Sequence, residues 1–167
     1  MTLTGWRVET PIGPLSVVCD GDVVVGSGFG EVDELLERVD GEIAWGATTG
    51  KVAEAVEGYL AGDGDALRAV QVRQPGGPFQ QDVWRAMRDI PAGETWSYSE
   101  LATKAGRPEA VRAAATACAR NLVAPFVPCH RVVRSDGTMG GYAYGLDAKR
   151  WLLKIEGVGG PSSWIAL

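Results

Sequence analysis

The strongest constraint on the fold is the run Gln74-Pro75-Gly76-Gly77-Pro78, in which four of five residues are proline or glycine. Proline lacks an amide hydrogen and glycine weakens regular structure, so neither a long helix nor a central strand is expected to pass through this run. The 167 residues are therefore predicted to form two regions, 1–75 and 76–167. The chain is long enough to bury a substantial core.

The first region has the pattern of a small α/β scaffold. Its expected elements are a hairpin of strands Leu15–Cys19 and Val23–Gly26, helices Glu31–Val39 and Lys51–Ala61, and a short closing strand Leu67–Val72. The hairpin follows from β-branched runs around Asp20-Gly21-Asp22, and the helices follow from apolar residues at helical spacing. Cys19 lies in a strand and is interpreted as a core residue.

The second region is predicted to be helical. Its expected helices are Phe79–Ile90, Tyr98–Ala105 and Glu109–Arg120, and a turn with a glycine separates the last two. Ser97 and Glu100 have the spacing of a capping box at the start of the second helix. Two short helices joined in this way are typical of a helix-turn-helix motif, although many helical hairpins share the pattern.

The third of these helices is rich in alanine and has two interpretations. Its small residues suit tight packing in a core, with Arg112 and Arg120 at the solvent edge. They also allow a close approach to a DNA backbone or a narrow groove, where Arg112 could enter the base stack. The helix pattern alone does not decide between them.

Several classes of protein are disfavoured by the sequence. No apolar run approaches the ~18 residues of a membrane span, and no export signal is recognisable at the N-terminus. Three cysteines at irregular spacing indicate reduced thiols and an intracellular, cytoplasmic protein. One histidine and no Cys-x-x-Cys pair make a zinc site improbable, and no cofactor is expected.

The charge is distributed unevenly along the chain. Residues 1–77 hold 5 basic and 13 acidic side chains, whereas residues 78–167 hold 11 basic and 8 acidic ones. An acidic half joined to a basic half predicts that only the second half meets a polyanion, the alternative being an uneven solvated surface.

The only histidine, His130, follows Cys129 in the run Pro128-Cys129-His130-Arg131. A thiol is a strong nucleophile only as the thiolate, and an imidazole can take its proton directly or through a water. The alternative is a buried cysteine beside a core histidine. The pair alone supports both interpretations equally.

The chain resembles the O6-alkylguanine-DNA alkyltransferases, also called methylated-DNA–protein-cysteine methyltransferases. The resemblance runs from Phe79 to Gly157 and rests on Ser97-Tyr98, Arg112, Asn121, Pro128-Cys129-His130-Arg131-Val132, Gly140-Gly141-Tyr142, Gly145 and Glu156. It implies an α+β fold, in which a ribonuclease-H-like α/β roll precedes a helical, winged-helix-like helix-turn-helix domain. It also implies repair of O6-alkylguanine, and of O4-alkylthymine, by irreversible transfer of the alkyl group to the protein.

The resemblance assigns the catalytic roles. Cys129 would accept the alkyl group, His130 would act as base through a water, and Glu156 would orient the imidazole. Asn121 would brace the turn, and Tyr98 would donate a hydrogen bond to the leaving guanine. These roles meet the need of the reaction for a thiolate and for a stabilised leaving group.

The resemblance also implies a monomer that binds double-stranded DNA through the minor groove and flips the damaged nucleotide. Arg112 would replace that nucleotide in the stack. The DNA contacts would come from Ala110, Val111, Arg112, Ala113, Ala115, Arg120 and Arg131. The base pocket would be formed by Tyr98, Cys118, Val132, Tyr142, Ala143 and Tyr144, with carbonyls of Cys129 and Val132 receiving the guanine amino group and the Ala143 amide addressing O6.

Three residues depart from the common family pattern. Leu122 replaces a frequent proline, which predicts a less rigid turn, and Arg120 replaces a frequent glycine and adds a charge near the DNA face. Tyr144 replaces glycine at the pocket wall. A tyrosine there predicts a tighter pocket that accepts methyl groups and resists benzyl groups.

Three other functions are disfavoured by the sequence. A damage sensor of the same family would lack the cysteine, but Cys129 is present. A cysteine hydrolase would need an oxyanion-hole motif, and a methyl-sensing transcription factor would need a cysteine-rich metal domain. Neither feature is recognisable, so the repair enzyme is the preferred hypothesis.

Overall fold

The computed structural model describes residues 2–159 and has an α+β fold. One compact unit contains the chain up to Gln74 together with Leu122–Phe126, and the other contains Pro75–Asn121 and the chain from Val127 onward. The predicted division at residue 75 did not include the return of Leu122–Phe126 to the first unit.

The first unit is built on one mixed sheet of five strands in the order β4-β1-β2-β3-β5. Strands β1, β2 and β3 pair antiparallel, whereas β4 joins β1 and β5 joins β3 in parallel. The elements are β1 (Thr2–Val8), β2 (Leu15–Asp20), β3 (Val23–Phe29), α1 (Asp33–Glu37), β4 (Glu42–Trp45), α2 (Lys51–Leu60) and β5 (Gln71–Val72). The sheet core includes the fully buried Leu3, Leu15 and Val17.

The predicted hairpin and the helix from Lys51 are confirmed, but two elements are shorter than expected. The helix predicted over Glu31–Val39 is only Asp33–Glu37, and its N-cap Val32 has no side chain that could accept a hydrogen bond from the helix. The strand predicted over Leu67–Val72 is limited to its last two residues, because consecutive turns precede it. Cys19 is buried, as its strand position predicted.

The segment Leu122–Phe126 is held to the first unit by backbone hydrogen bonds. The Leu122 carbonyl accepts from the Ser27 amide at 2.8 Å, and the Leu122 amide donates to the side chain of Gln74 at 2.8 Å. Val123 forms an isolated parallel bridge with Ser27. A proline at position 122 could not make the bond to Gln74, so leucine provides an attachment that the common family residue lacks.

The second unit contains α3 (Pro78–Met87), β6 (Trp96–Ser97), α4 (Tyr98–Lys104), α5 (Val111–Ala119), a 3-10 turn (Cys129–Arg131), β7 (Val132–Val133) and α6 (Leu146–Ile155). The capping box is confirmed, since Ser97 Oγ accepts from the Glu100 amide at 3.1 Å and Glu100 accepts from the Ser97 amide at 3.2 Å.

The packing of α3 against α5 depends on Trp84. Its indole Nε1 donates to the Ala117 carbonyl at 2.9 Å, and the residue is almost fully buried. A Cβ at Gly76 would lie 2.6 Å from the Trp84 ring, so glycine permits this close approach at the start of the unit. None of the described helices is long and apolar enough to cross a membrane.

Candidate active site

The reactive cysteine candidate lies at the start of a buried 3-10 turn. Pro128 immediately precedes this turn, and its carbonyl accepts from the Arg131 amide at 2.9 Å. Cys129 is 8 % exposed and His130 is completely buried. The thiol is therefore shielded from bulk solvent.

Asn121 connects the end of α5 to this turn. Its side-chain nitrogen Nδ2 donates to the Val127 carbonyl at 2.8 Å and to Cys129 Sγ at 3.3 Å. The first bond ties together the two ends of the Leu122–Phe126 segment, and the second directs a donor at the sulfur. The predicted brace is thus in position to stabilise a thiolate as well as the turn.

The resting thiol is protonated. Burial raises the pKa of Cys129, and the hydrogen bond from Asn121 and the positive charge of Lys149 offset only part of this effect. A buried thiolate without further compensation is unfavourable, because the charge has lost its hydration. Reaction at this sulfur therefore requires a base.

His130, which follows Cys129 in the chain, is the candidate for that base. Its Nε2 lies 2.8 Å from Glu156 Oε2, and its Nδ1 has no hydrogen-bond partner among the described residues. Burial lowers the pKa of His130 more than the Glu156 carboxylate raises it, so the imidazole is neutral at neutral pH. When Nε2–H donates a hydrogen bond to the ionised Glu156, the Nδ1 lone pair is available to accept a proton.

Arg131, predicted to contact DNA, is largely buried and pairs with Glu156, so its contact with DNA stays a prediction. The side chain is 8 % exposed, and its Nε and Nη2 bind the two carboxylate oxygens of Glu156 at 2.8 and 3.0 Å. Its Nη1 donates to the Ile90 carbonyl at 2.7 Å. The Arg131 guanidinium neutralises the buried Glu156 carboxylate within the second unit.

The Glu156 carboxylate therefore accepts hydrogen bonds from both His130 and the buried Arg131. Its burial raises its pKa, but His130 and Arg131 outweigh this effect and hold the pKa at about 2. Because Arg131 already balances the carboxylate, Glu156 can orient His130 without forcing the imidazole to protonate.

Lys149 is a site residue that the sequence analysis missed. It is fully buried in α6, and its Nζ donates to the carbonyls of Val132 at 2.7 Å, Gly141 at 3.2 Å and Met139. Burial lowers its pKa to about 8, although Cys129 and Cys118 act in the opposite direction. The spacing of Ala148, Lys149, Leu152 and Leu153 on one face of α6 was the available signal.

Two of the predicted pocket residues, Tyr98 and Tyr144, interact electrostatically with Cys129. Burial, Cys118 and Cys129 raise the pKa of Tyr98 to about 12, so its hydroxyl is a neutral donor. Burial and Cys129 likewise raise the pKa of Tyr144. Tyr142 packs edge-to-face on Tyr144 with ring centres 5.5 Å apart, and its ring also meets His130 at 6.4 Å.

The other predicted pocket residues are Cys118, Val132 and Ala143. Cys118 on α5 interacts electrostatically with Cys129, and its Sγ lies 3.9 Å from Met87 Sδ. Val132 is buried, and its carbonyl already accepts from Lys149, so one lone pair is occupied. Ala143 is exposed. The contacts of these groups with a base stay predictions.

Helix α5 has one packed face and one open face. Ala114 and Ala117 are buried, whereas Arg112, Ala113 and Arg120 are exposed. Ala110, Val111 and Ala115 are intermediate. The core-packing interpretation of the alanine-rich helix is confirmed for the buried face, whereas the approach of the open face to DNA stays a prediction. Within residues 2–159, Arg112 and Arg120 form no ion pair and remain available for an anion.

Comparison with known proteins places this arrangement in a defined context. Residues 78–158 match the family model described as the DNA-binding domain of 6-O-methylguanine DNA methyltransferase. A methylated-DNA–protein-cysteine methyltransferase from Salmonella typhimurium is 38% identical over 160 residues, which cover 90% of this chain and 94% of the relative. One from Mycobacterium leprae is 40% identical over 152 residues, which cover 89% of each. The solved Mycobacterium tuberculosis OGT in complex with DNA has a TM-score of 0.77 at 34% identity and 92% coverage of both chains.

Proposed function

Since the chain belongs to the methylated-DNA–protein-cysteine methyltransferase family, which acts in DNA repair, we propose that Cys129 is the alkyl acceptor for O6-alkylguanine in duplex DNA. The observation that carries the assignment is a buried thiol beside a neutral imidazole with a free Nδ1. O4-alkylthymine is a second substrate, because it presents the same kind of alkyl–oxygen bond.

The reaction begins with removal of the thiol proton. His130 Nδ1 accepts it, directly or through a water, while Nε2–H donates to Glu156 Oε2 across 2.8 Å. The amide of Asn121 and the charge of Lys149 stabilise the thiolate that forms. These groups are in place before substrate binds, so little reorganisation is required.

Transfer is a direct displacement at carbon. The Cys129 sulfur forms a bond to the alkyl carbon, the carbon–O6 bond breaks, and its electron pair remains on the guanine. The neutral hydroxyl of Tyr98 donates to the purine as negative charge develops, and the proton held by His130 finally neutralises the guanine. The product is a thioether, which water does not hydrolyse, so each molecule reacts once.

DNA binds through the open face of α5. Duplex DNA hides the alkyl carbon, so the nucleotide must leave the stack, and the exposed Arg112 fills the gap. Ala110, Val111, Ala113 and Ala115 let the helix approach the minor groove, and Arg120 adds a phosphate contact. The protein acts as a monomer on the chromosome inside the cell.

Intact-mass spectrometry tests the assignment. Mixing the protein with a duplex that contains O6-methylguanine should add one methylene, which peptide mapping should place on Cys129. Cys129→Ala should gain no mass, whereas Cys19→Ala should react normally because it retains Cys129, His130 and Glu156. An unmodified protein bound to the damaged duplex would overturn the proposal and favour a damage sensor.

A further inference from the structure

Arg134 is a cation whose role the proposed reaction leaves open. The residue is exposed, directly after β7. Among the described residues 2–159 it forms no ion pair. An arginine that stabilised the fold through its charge would be expected to have a carboxylate partner, as Arg131 has in Glu156. Its guanidinium is therefore available to an external anion.

The strand pairing places Arg134 beside Tyr98. Strands β6 and β7 are parallel, with Trp96 opposite Val132 and Ser97 opposite Val133. Tyr98, the first residue of α4, and Arg134 directly follow the ends of these two strands. A Cβ at Gly140 would lie 3.2 Å from Tyr98 Oη and 3.5 Å from Arg134 Cγ. Both side chains therefore pass over the same glycine, at the partly exposed end of the base pocket.

The turn that carries Arg134 is closed by internal hydrogen bonds. The Arg134 amide donates to the Thr138 carbonyl at 3.0 Å, and the Gly137 amide donates to the Arg134 carbonyl at 3.1 Å. Asp136 Oδ1 accepts from the Thr138 amide at 3.0 Å and from the Thr138 hydroxyl at 2.7 Å. The Asp136 carboxylate is thus held within the turn by Thr138, and it interacts with Arg134 electrostatically without a hydrogen bond or an ion-pair contact.

A second contact fixes this turn relative to α4. The Ser135 hydroxyl lies within hydrogen-bond distance of the Ser99 hydroxyl, at 3.1 Å. Ser99 follows Tyr98, so the same helical start positions the pocket tyrosine and the arginine turn. The backbone of Arg134 is therefore held in position by the turn, although its guanidinium is exposed.

We propose that Arg134 binds a DNA phosphate next to the flipped nucleotide and so retains the alkylated base in the pocket. This inference rests on the proposed function. A base that enters beside Tyr98 must bring its own sugar and phosphate to the rim, where Arg134 stands. A guanidinium binds phosphate through two parallel N–H donors, which gives orientation as well as attraction. Arg112 fills the gap in the base stack, whereas Arg134 binds a phosphate next to the nucleotide that has left the stack.

The test pairs a protein variant with a DNA variant. Arg134→Gln removes the charge, and a methylphosphonate immediately 5′ or 3′ of O6-methylguanine removes the charge of one phosphate. In the parental protein, one of the two methylphosphonates should slow methyl transfer to Cys129 about tenfold, as expected for loss of one charge-assisted hydrogen bond. Arg134→Gln should slow transfer from unmodified DNA by a similar factor and be insensitive to that methylphosphonate.

Arg85→Gln is the matched control, because it removes one exposed charge from the same unit, and Arg85 already pairs with Asp82. It should retain the full sensitivity to the methylphosphonate. Arg134→Lys keeps the charge without the paired donors and should lie between the parental protein and Arg134→Gln. Thermal unfolding of each variant controls for folding.

Three results would overturn the inference alone: no effect of either methylphosphonate on the parental protein, equal sensitivity in Arg134→Gln, or an equal loss of transfer in Arg85→Gln. A parental protein that transfers no methyl group from the unmodified duplex would instead overturn the proposed function, and this inference with it.

Discussion

At the scale of single residues, Glu156 links the proposed base His130 to the buried Arg131. Its carboxylate accepts from His130 and Arg131 at once, and both partners are buried. The motif Pro128-Cys129-His130-Arg131 predicted the nucleophile and the base, but it could not reveal that Arg131 turns inward. Lys149 was missed for the same reason, since burial of a charge depends on tertiary packing rather than on spacing.

Glu156→Gln should destabilise the protein, because Arg131 would keep a buried charge without its counter-charge. We expect the free energy of unfolding at neutral pH to fall by about 3–5 kcal/mol and methyl transfer to slow strongly. Urea unfolding and single-turnover assays measure the two effects. Asp147→Asn is the control, since that carboxylate is 94 % exposed and should change stability little.

The ion pair of Glu156 with Arg131 predicts that the free energy of unfolding depends on pH. The folded pKa of Glu156 is about 2, below the unfolded value of about 4.3. The stability that its ionisation contributes is complete above the unfolded pKa and is lost as the pH falls towards the folded one. Glu156→Gln should therefore lose less stability than the parental protein over this window. If stability falls equally with pH in the two proteins, the low pKa of Glu156 is contradicted.

Lys149→Met should make Cys129 harder to ionise, because the lysine charge lowers the pKa of the thiol. We expect transfer to slow roughly tenfold or more and alkylation of Cys129 by iodoacetamide to require higher pH. The folded pKa of Lys149 is about 8, below the unfolded value of about 10.4. Stability of the parental protein should rise with pH between these values, and this rise should be absent in Lys149→Met. Lys154→Met, an exposed change on the same helix, should affect neither property.

Tyr144 sets the expected limit on the alkyl group. Its ring packs edge-to-face on Tyr142, with centres 5.5 Å apart, so it cannot withdraw without disturbing that contact. The parental protein should transfer methyl faster than benzyl, and Tyr144→Gly should raise the benzyl rate relative to methyl. Competition between O6-methylguanine and O6-benzylguanine duplexes measures the ratio. Equal parental rates, or faster benzyl transfer, would contradict the tight pocket.

At the scale of elements, sequence patterns performed best where an element carries its own signals. The capping box at Ser97 and Glu100 located the start of α4, and apolar spacing located α2 and α3. Strand β4 was not predicted, and it is only four residues long and largely exposed. Such a strand is defined by its parallel pairing with β1, which the local sequence does not encode.

Helix α5 offers a test of nucleotide flipping. Arg112→Ala should slow transfer from a paired O6-methylguanine by about 10- to 100-fold, because unstacking a paired base requires a few kcal/mol. The deficit should shrink when the lesion lies in single-stranded DNA, since less stacking must then be replaced. Arg120→Ala, at the other end of the helix, should lower affinity for both substrates alike. Equal deficits for Arg112→Ala on both substrates would assign it to phosphate binding instead.

At the scale of the whole molecule, the chain does not divide at a single point. The proline- and glycine-rich run marks the end of the first unit near Gln74, yet Leu122–Phe126 returns to that unit between Asn121 and the cysteine turn. Local composition could not predict this return, because it depends on hydrogen bonds that join the Leu122 backbone to the Ser27 amide and to the Gln74 side chain. The site residue Asn121 is therefore covalently joined to a segment held by the first unit.

This connection predicts that a change in the first unit affects the chemistry. Gln74→Ala should leave the Leu122 amide without its acceptor, which lowers the free energy of unfolding by about 1–3 kcal/mol. It should also slow methyl transfer, because Asn121 adjoins Leu122 and donates to Cys129 Sγ at 3.3 Å. Gln71→Ala, at an exposed position, should change neither quantity. Lost stability with an unchanged transfer rate would show that Asn121 keeps its position without the attachment, and that the bond to Val127 at 2.8 Å is sufficient to hold it.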